Sequence, residues 1–157
     1  MNVLVLGASS SIGNSIVKSF AKNNKLYLLS TKREKLEILK NEAIALGSLN
    51  VEIIEADLQH PINISALMPE SIDMIINVAC ASSSLKNYNI EPHRHQYYTA
   101  VDLSSPLVIL EHFLKEKSKQ GKHTQLYYIF ISLNKTKVHF LHYQNSYMLL
   151  TFVILIK

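Results

Sequence analysis

Val3-Leu4-Val5-Leu6-Gly7-Ala8-Ser9-Ser10-Ser11-Ile12-Gly13 is the stretch that decides the fold of this 157-residue chain. Four apolar residues deliver the backbone into a turn of small residues. A helix-periodic segment follows at once, with Ile12, Ile16, Val17 and Phe20 on one face. Strand, tight turn and helix in that order form the setting in which a dinucleotide pyrophosphate is held. Glycine lets the backbone come close to the phosphates, and the free N–H groups and dipole of the helix N-terminus face them. The spacing, Gly7-x-x-x-Ser11-x-Gly13, differs from the common G-x-G-x-x-G fingerprint. Read without any ligand, the same residues also suit an ordinary βα turn rich in small side chains.

Outward from this turn, strand and helix patterns alternate with short links through residue 132, as expected of a parallel sheet covered on both faces. Strands are expected at Asn2–Leu6, Leu26–Ser30, Val51–Ala56, Asp73–Val78 and Gln125–Ser132. The second helix opens on a capping box, Thr31-x-x-Glu34, carries the stripe Leu36, Leu39, Ala43 and Leu46, and stops at Gly47. A short helical turn spans about 62–67, a polar loop 82–92, and a helix about 94–119 with a kink at Pro106. The expected fold is a three-layer α/β Rossmann domain over 1–132 with strand order 3-2-1-4-5. Residues 133–157 form a divergent segment of the same domain, without Gly, Ala, Pro, Asp or Glu. Apolar positions in 138–156 fit a strand no worse than a helix, and a terminal helix is the expectation taken here.

Composition narrows the function classes. With 48% hydrophobic and 18% charged residues the chain reads as globular. No secretory signal is expected at the N-terminus. The longest apolar run, Met148 to Ile156, is half of a membrane span, so no membrane association is expected. A single cysteine, Cys80, excludes an internal disulfide and fits the cytoplasm. Residues 1–116 hold ten Lys/Arg and twelve Asp/Glu, whereas 117–157 hold six lysines and no acid. Those lysines are interspersed with aromatic residues and His and form no run, so no nucleic acid is expected as a partner. His93-x-His95 and His139-x-x-His142 lack accompanying acids or cysteines, and no metal site is expected.

The turn resembles the G-x-x-x-G-x-G of the short-chain dehydrogenase/reductase family, with Ser11 at the middle glycine. Four further stretches resemble that family in the same order. Ser30-Thr31-Lys32-Arg33 occupies the cofactor-choosing position, Asp57-Leu58 the adenine contact, and Asn77-Val78-Ala79-Cys80 stands for N-N-A-G. Val101-Asp102-Leu103-Ser104-Ser105-Pro106-Leu107 stands for V-N-L-x-x-P-L. The resemblance implies an oxidoreductase that interconverts a carbonyl and an alcohol on a small-molecule substrate. Gly7, Ser9, Ser11, Ile12 and Gly13 would hold the pyrophosphate, and Asn77 and Ala79 would line the nicotinamide side. Lys32 and Arg33, with no acid beside them, favour the 2′-phosphate of NADP(H) over NAD(H). As bare residues they are solvated cations in a helix first turn, a position the helix dipole disfavours. Asp57 would accept from the adenine amino group; as a bare residue it caps the next turn equally well.

The family's catalytic pattern is a Ser, then about a dozen residues, then Tyr-x-x-x-Lys. By resemblance Ser132 and Tyr143 take the first two roles, and Tyr147 stands where the Lys belongs. Without that cation a tyrosine, with an ordinary pKa near 10, is a weak acid/base at neutral pH. The resemblance also implies further parallel C-terminal strands that this sequence lacks. The expectation is therefore an active NADP(H)-dependent enzyme or, as the alternative, an inactive cofactor-binding or truncated form acting through a protein partner. Residues beyond about 133 would then be a truncated or out-of-frame reading. A homodimer through helices 94–119 and 138–156 is the implied assembly.

Overall fold

The structure, a computed structural model, describes residues 1–60, 64–79, 96, 99–120, 125–132, 137–144 and 147–154, with side chains described up to Lys119. β1 (Asn2–Leu6) is buried along Val3, Leu4, Val5 and Leu6, as a central parallel strand covered on both faces must be. α1 (Ser11–Phe20) follows the turn, and β2 (Lys25–Ser30) returns parallel to β1, with Leu6 opposite Leu29. α2 (Arg33–Ala45) buries Leu36, Leu39 and Ala43 and stops at Gly47, whose N–H bonds the Ile44 carbonyl while that of Ser48 reaches Ala43. β3 (Asn50–Glu55) pairs with β2, and β4 (Met74–Asn77) pairs with the other side of β1. After a π turn at Ala100–Ser104, α3 (Ser105–Gln120) leads to β5 (Gln125–Ser132), parallel to β4.

The parallel strands thus run 3-2-1-4-5, as expected. Alternation along β1 divides the interior in two. Val3 and Val5 pack with Leu26, Leu28, Val17 of α1 and Leu36 and Leu39 of α2. Leu4 and Leu6 pack with Leu29, Ile75 and, from α3, Ile109 and Phe113. Helices therefore cover both faces, which makes the three layers.

Two local expectations are corrected. Thr31 does not cap α2: the N-cap position is Lys32, without a side-chain cap, and the Ser30 hydroxyl accepts the Lys32 N–H at 3.3 Å instead. Pro106 gives no simple kink inside a helix. It has no N–H to donate, and the chain before it widens so that the Ser105 N–H reaches back to Ala100.

The largest correction concerns the C-terminal segment. The expected helix 138–156 is replaced by two antiparallel strands, β6 (Lys137–Gln144) and β7 (Tyr147–Ile154), which extend the sheet to order 3-2-1-4-5-6-7. Eight of the eighteen residues in 137–154 are β-branched or aromatic and none is alanine. A pleated surface accommodates such a composition better than a helix does. The helix-to-helix dimer surface loses its second element accordingly. The loop 82–92, Cys80 and the turn residues 62–63 lie outside the described residues, as do 94, 95, 97 and 98 of the third helix; Ser65–Leu67 is a single 3₁₀ turn.

Candidate functional site

Between β1 and β4 the strand order reverses, and there the carboxyl ends of the strands open a crevice. A cavity of about 480 Å³ fills it. Its floor is the turn after β1. Gly7 sits at φ +80°, and its N–H and that of Ala8 both bond the Leu29 carbonyl, at 2.9 and 3.1 Å. A Cβ on Gly7 would lie 2.7 Å from the Ala79 nitrogen, so only glycine lets the turn pass this close to the end of β4. A Cβ on Gly13 would press into the Gly7 carbonyl oxygen and lie 2.8 Å from Ala8 Cα. Gly13 itself is buried beneath the turn and does not line the cavity; its absent side chain lets α1 begin directly against the strand.

That helix start is electropositive. Ser10 is the N-cap, its Oγ accepting the Gly13 N–H at 3.0 Å, and no acid lies in the first turn. Ser11 and Ile12 line the cavity where helix geometry leaves backbone N–H groups without intrahelical acceptors. Ser9 shares a hydroxyl–hydroxyl bond with Ser30, which ties the turn to the end of β2.

The two cations after β2 part company. Lys32 is exposed and lines the cavity. The Arg33 guanidinium turns to two acids outside it, with Nη2 3.3 Å from Glu37 and Nη1 3.4 Å from Glu55. Asp57 lines the cavity, and its Oδ1 accepts the Gln59 N–H at 2.8 Å, the turn-capping bond expected of it. Leu58 lines the wall behind it, and its carbonyl accepts the buried Ser105 hydroxyl, which fastens α3 to this loop. Asn77 is fully buried and lies behind the cavity; its Oδ1 accepts the Ala79 N–H at 3.1 Å and so shapes the strand end that brings Ala79 to the wall.

Ser10, Ser30, Thr31, Val78 and Val101 also line the cavity; they stand in the quoted stretches without an individual role, whereas Leu29 and Ala56, which line it too, stand in none. Ser10 was findable as a small polar residue one position before a helix. Val101 opens the stretch that resembles V-N-L-x-x-P-L, and the π turn brings it to the cavity from a distant part of the chain.

The catalytic pair is not assembled. Ser132 ends β5 as expected, two residues beyond Phe130, the partner of Asn77, and so lies at the carboxyl edge of the sheet. Tyr143 lies on β6, where antiparallel register sets it opposite Leu126, near the start of β5. Six residues of strand separate Leu126 from Ser132, about 20 Å at the usual rise. Tyr143 is therefore at the opposite edge of the sheet and on no helix. Among the described residues no cluster of three His, Cys, Asp or Glu could hold a metal, and none of their helices is long and apolar enough to cross a membrane. His139 and His142 lie on β6, and His93 and His95 lie outside the described residues.

The short chain dehydrogenase family model matches residues 1–140. The chain belongs to the short-chain dehydrogenase family. The family match covers every strand of the parallel sheet and ends before Tyr143. Among solved structures, this short-chain dehydrogenase is similar to a bulky-bulky ketone specific alcohol dehydrogenase from Comamonas testosteroni. The two share 20% identity at a TM-score of 0.69, over 77% of this chain and 51% of that one. A short-chain dehydrogenase from Sphingobium yanoikuyae in complex with NADPH matches at 21% identity and TM-score 0.68, over 76% and 50%. L-Sorbose reductase from Gluconobacter frateurii, complexed with NADPH and L-sorbose, matches at 16% and 0.65, over 78% and 50%. The likeness is one of fold, and the chain spans about half the length of these proteins. No curated protein matches it.

Proposed function

We propose that this chain binds NADP(H) in the cavity at the carboxyl edge of β1–β4, as the nucleotide-binding part of an oxidoreductase that interconverts a carbonyl and an alcohol. The observation that carries the reading is the pair of glycines, Gly7 and Gly13, at positions where a Cβ would meet backbone, directly beneath an acid-free helix N-terminus. Such a cradle fits a pyrophosphate. Ser9, Ser11 and Ile12 present the turn to the phosphates, Lys32 meets the 2′-phosphate from the wall, and Asp57 and Leu58 border the adenine. Ala79, set by Asn77, borders the nicotinamide side. When bound, the dinucleotide supplies or accepts the hydride. The NADPH complexes of structural neighbours are in keeping with this assignment. A cytoplasmic location goes with the reading, on the strength of a lone cysteine.

The register of β5 and β6 favours a second reading, nucleotide binding without turnover, since Ser132 and Tyr143 are held apart. Fluorescence titration of the purified chain with NADPH, and with NADH as control, tests the first proposal. Saturable NADPH binding with weaker NADH binding is expected, and a folded sample that binds neither overturns it. NADPH consumption with a panel of ketones and aldehydes then separates the two readings. Turnover would refute the second.

A further inference from the structure

Two cations follow β2, and the one better suited to a phosphate is the one facing away from the cavity. A guanidinium offers a planar fork of donors that matches phosphate oxygens in pairs, whereas an ammonium acts as a point charge. Yet Lys32 lines the cavity, and Arg33 is spread between Glu37 at 3.3 Å and Glu55 at 3.4 Å. Glu37 is one helical turn along α2. Glu55 comes from a different strand, brought alongside because it sits opposite Ser30 in the β2–β3 register. We infer that Glu55, together with Glu37, limits the cavity's preference for a 2′-phosphorylated dinucleotide by holding the Arg33 guanidinium off the phosphate. This inference rests on the NADP(H) reading above.

The side chains of the three residues are 60%, 48% and 49% exposed, so their ion pairs are screened and weak. Each is worth about a two- to fivefold factor in an equilibrium. A phosphate dianion at the rim must displace both carboxylates to engage Arg33, and it also feels their repulsion. Releasing Arg33 and removing those charges should act on the phosphorylated dinucleotide and leave the other nearly unaffected.

The test is titration of the full chain with NADPH and NADH, comparing the parent, Lys32→Ala, Glu37→Gln/Glu55→Gln and the triple variant that adds Arg33→Ala, with thermal unfolding of each as a folding check. The acid-to-amide pair should tighten NADPH binding about fivefold and change NADH binding by less than about twofold. Adding Arg33→Ala should abolish the gain, because it travels through the guanidinium. Lys32→Ala should weaken NADPH about tenfold. A gain that survives Arg33→Ala, or one shared by NADH, overturns the inference in favour of a general charge effect. Equal NADPH affinity of the parent and the amide pair overturns it while leaving the NADP(H) reading intact. If no variant binds either dinucleotide, the NADP(H) reading itself falls, and this inference with it.

Discussion

Replacing Gly13 by alanine sets two effects of opposite sign against each other. Gly13 is in the first turn of α1, where alanine is the better helix former by about 1 kcal/mol. The added Cβ would meet the Gly7 carbonyl oxygen and lie 2.8 Å from Ala8 Cα and from the Ala8 carbonyl oxygen. Ordinary carbon contacts are near 3.5 Å, so the start of α1 must retreat by about 0.7 Å and lose part of its dispersion contact with the turn. All three neighbours are backbone, and no rotamer change can absorb the clash. The cost therefore belongs at the upper end of the overpacking range, about 3 kcal/mol. The net destabilisation is about 2 kcal/mol, a fall in Tm of about 6 °C for a domain of this size. Thermal unfolding followed by far-UV circular dichroism reads it directly, and NADPH titration should show weakened binding as Ser11 and Ile12 move. Gly47→Ala is the control: its Cβ would meet only Lys22 Cγ, at 3.9 Å, so its cost, about 1 kcal/mol, comes from the φ of +93° and leaves NADPH binding unchanged. A Gly13→Ala protein that melts at or above the parent temperature would refute the close-approach argument.

Other substitutions test separate parts of the fold. Ser10→Ala removes the α1 cap and should cost about 1 kcal/mol in urea unfolding. Ser105→Ala leaves the Leu58 carbonyl without its buried donor and should cost about 1–3 kcal/mol, with looser NADPH binding because that loop borders the cavity. In α3, hydrogen bonding to Lys115 and to Lys119 holds the carboxyls of Glu111 and Glu116 below their usual range. A depressed folded-state pKa adds stability above the unfolded value, about 4.3, which is lost as the pH falls through the folded values. Helix content should therefore hold at pH 5 and decline below about pH 4, and Glu111→Gln/Glu116→Gln should flatten that acid limb in a dichroism titration.

The cavity was legible wherever local rules decide the structure. β1 is a central strand, so burial on both faces writes a continuous apolar run into the sequence, and its bounds were read correctly. The glycines of the turn were legible because backbone approaches backbone there. Arg33 shows where such reading stops. Its chemistry suggested a phosphate ligand; of the two acids it pairs with, Glu37 is one turn along α2, but Glu55 lies 22 residues on and becomes a neighbour only through the pairing of β2 with β3. The C-terminal hairpin was misread because Val138, Phe140 and Leu141 satisfy a helical face and a strand about equally. The tie is broken by β5, which offers an edge to pair with, and no helical periodicity count registers that edge.

The six-residue offset between Ser132 and the partner of Tyr143 bears on what it would take to bring those two residues together. A missing functional group can be restored by a single codon change; a missing arrangement cannot. Tyr147→Lys would complete the family's motif on paper, yet position 147 pairs with Gln144 across the hairpin, at the sheet edge remote from the turn after β1. Position 147, like Tyr143, lies at the end of the sheet away from Ser132. Sliding β6 along β5 by one residue would exchange its two faces, and by six it would forfeit most of the ladder. What separates this chain from the family's Ser–Tyr–Lys pattern is thus a matter of topology, reachable only by refolding the segment from β6 through β7.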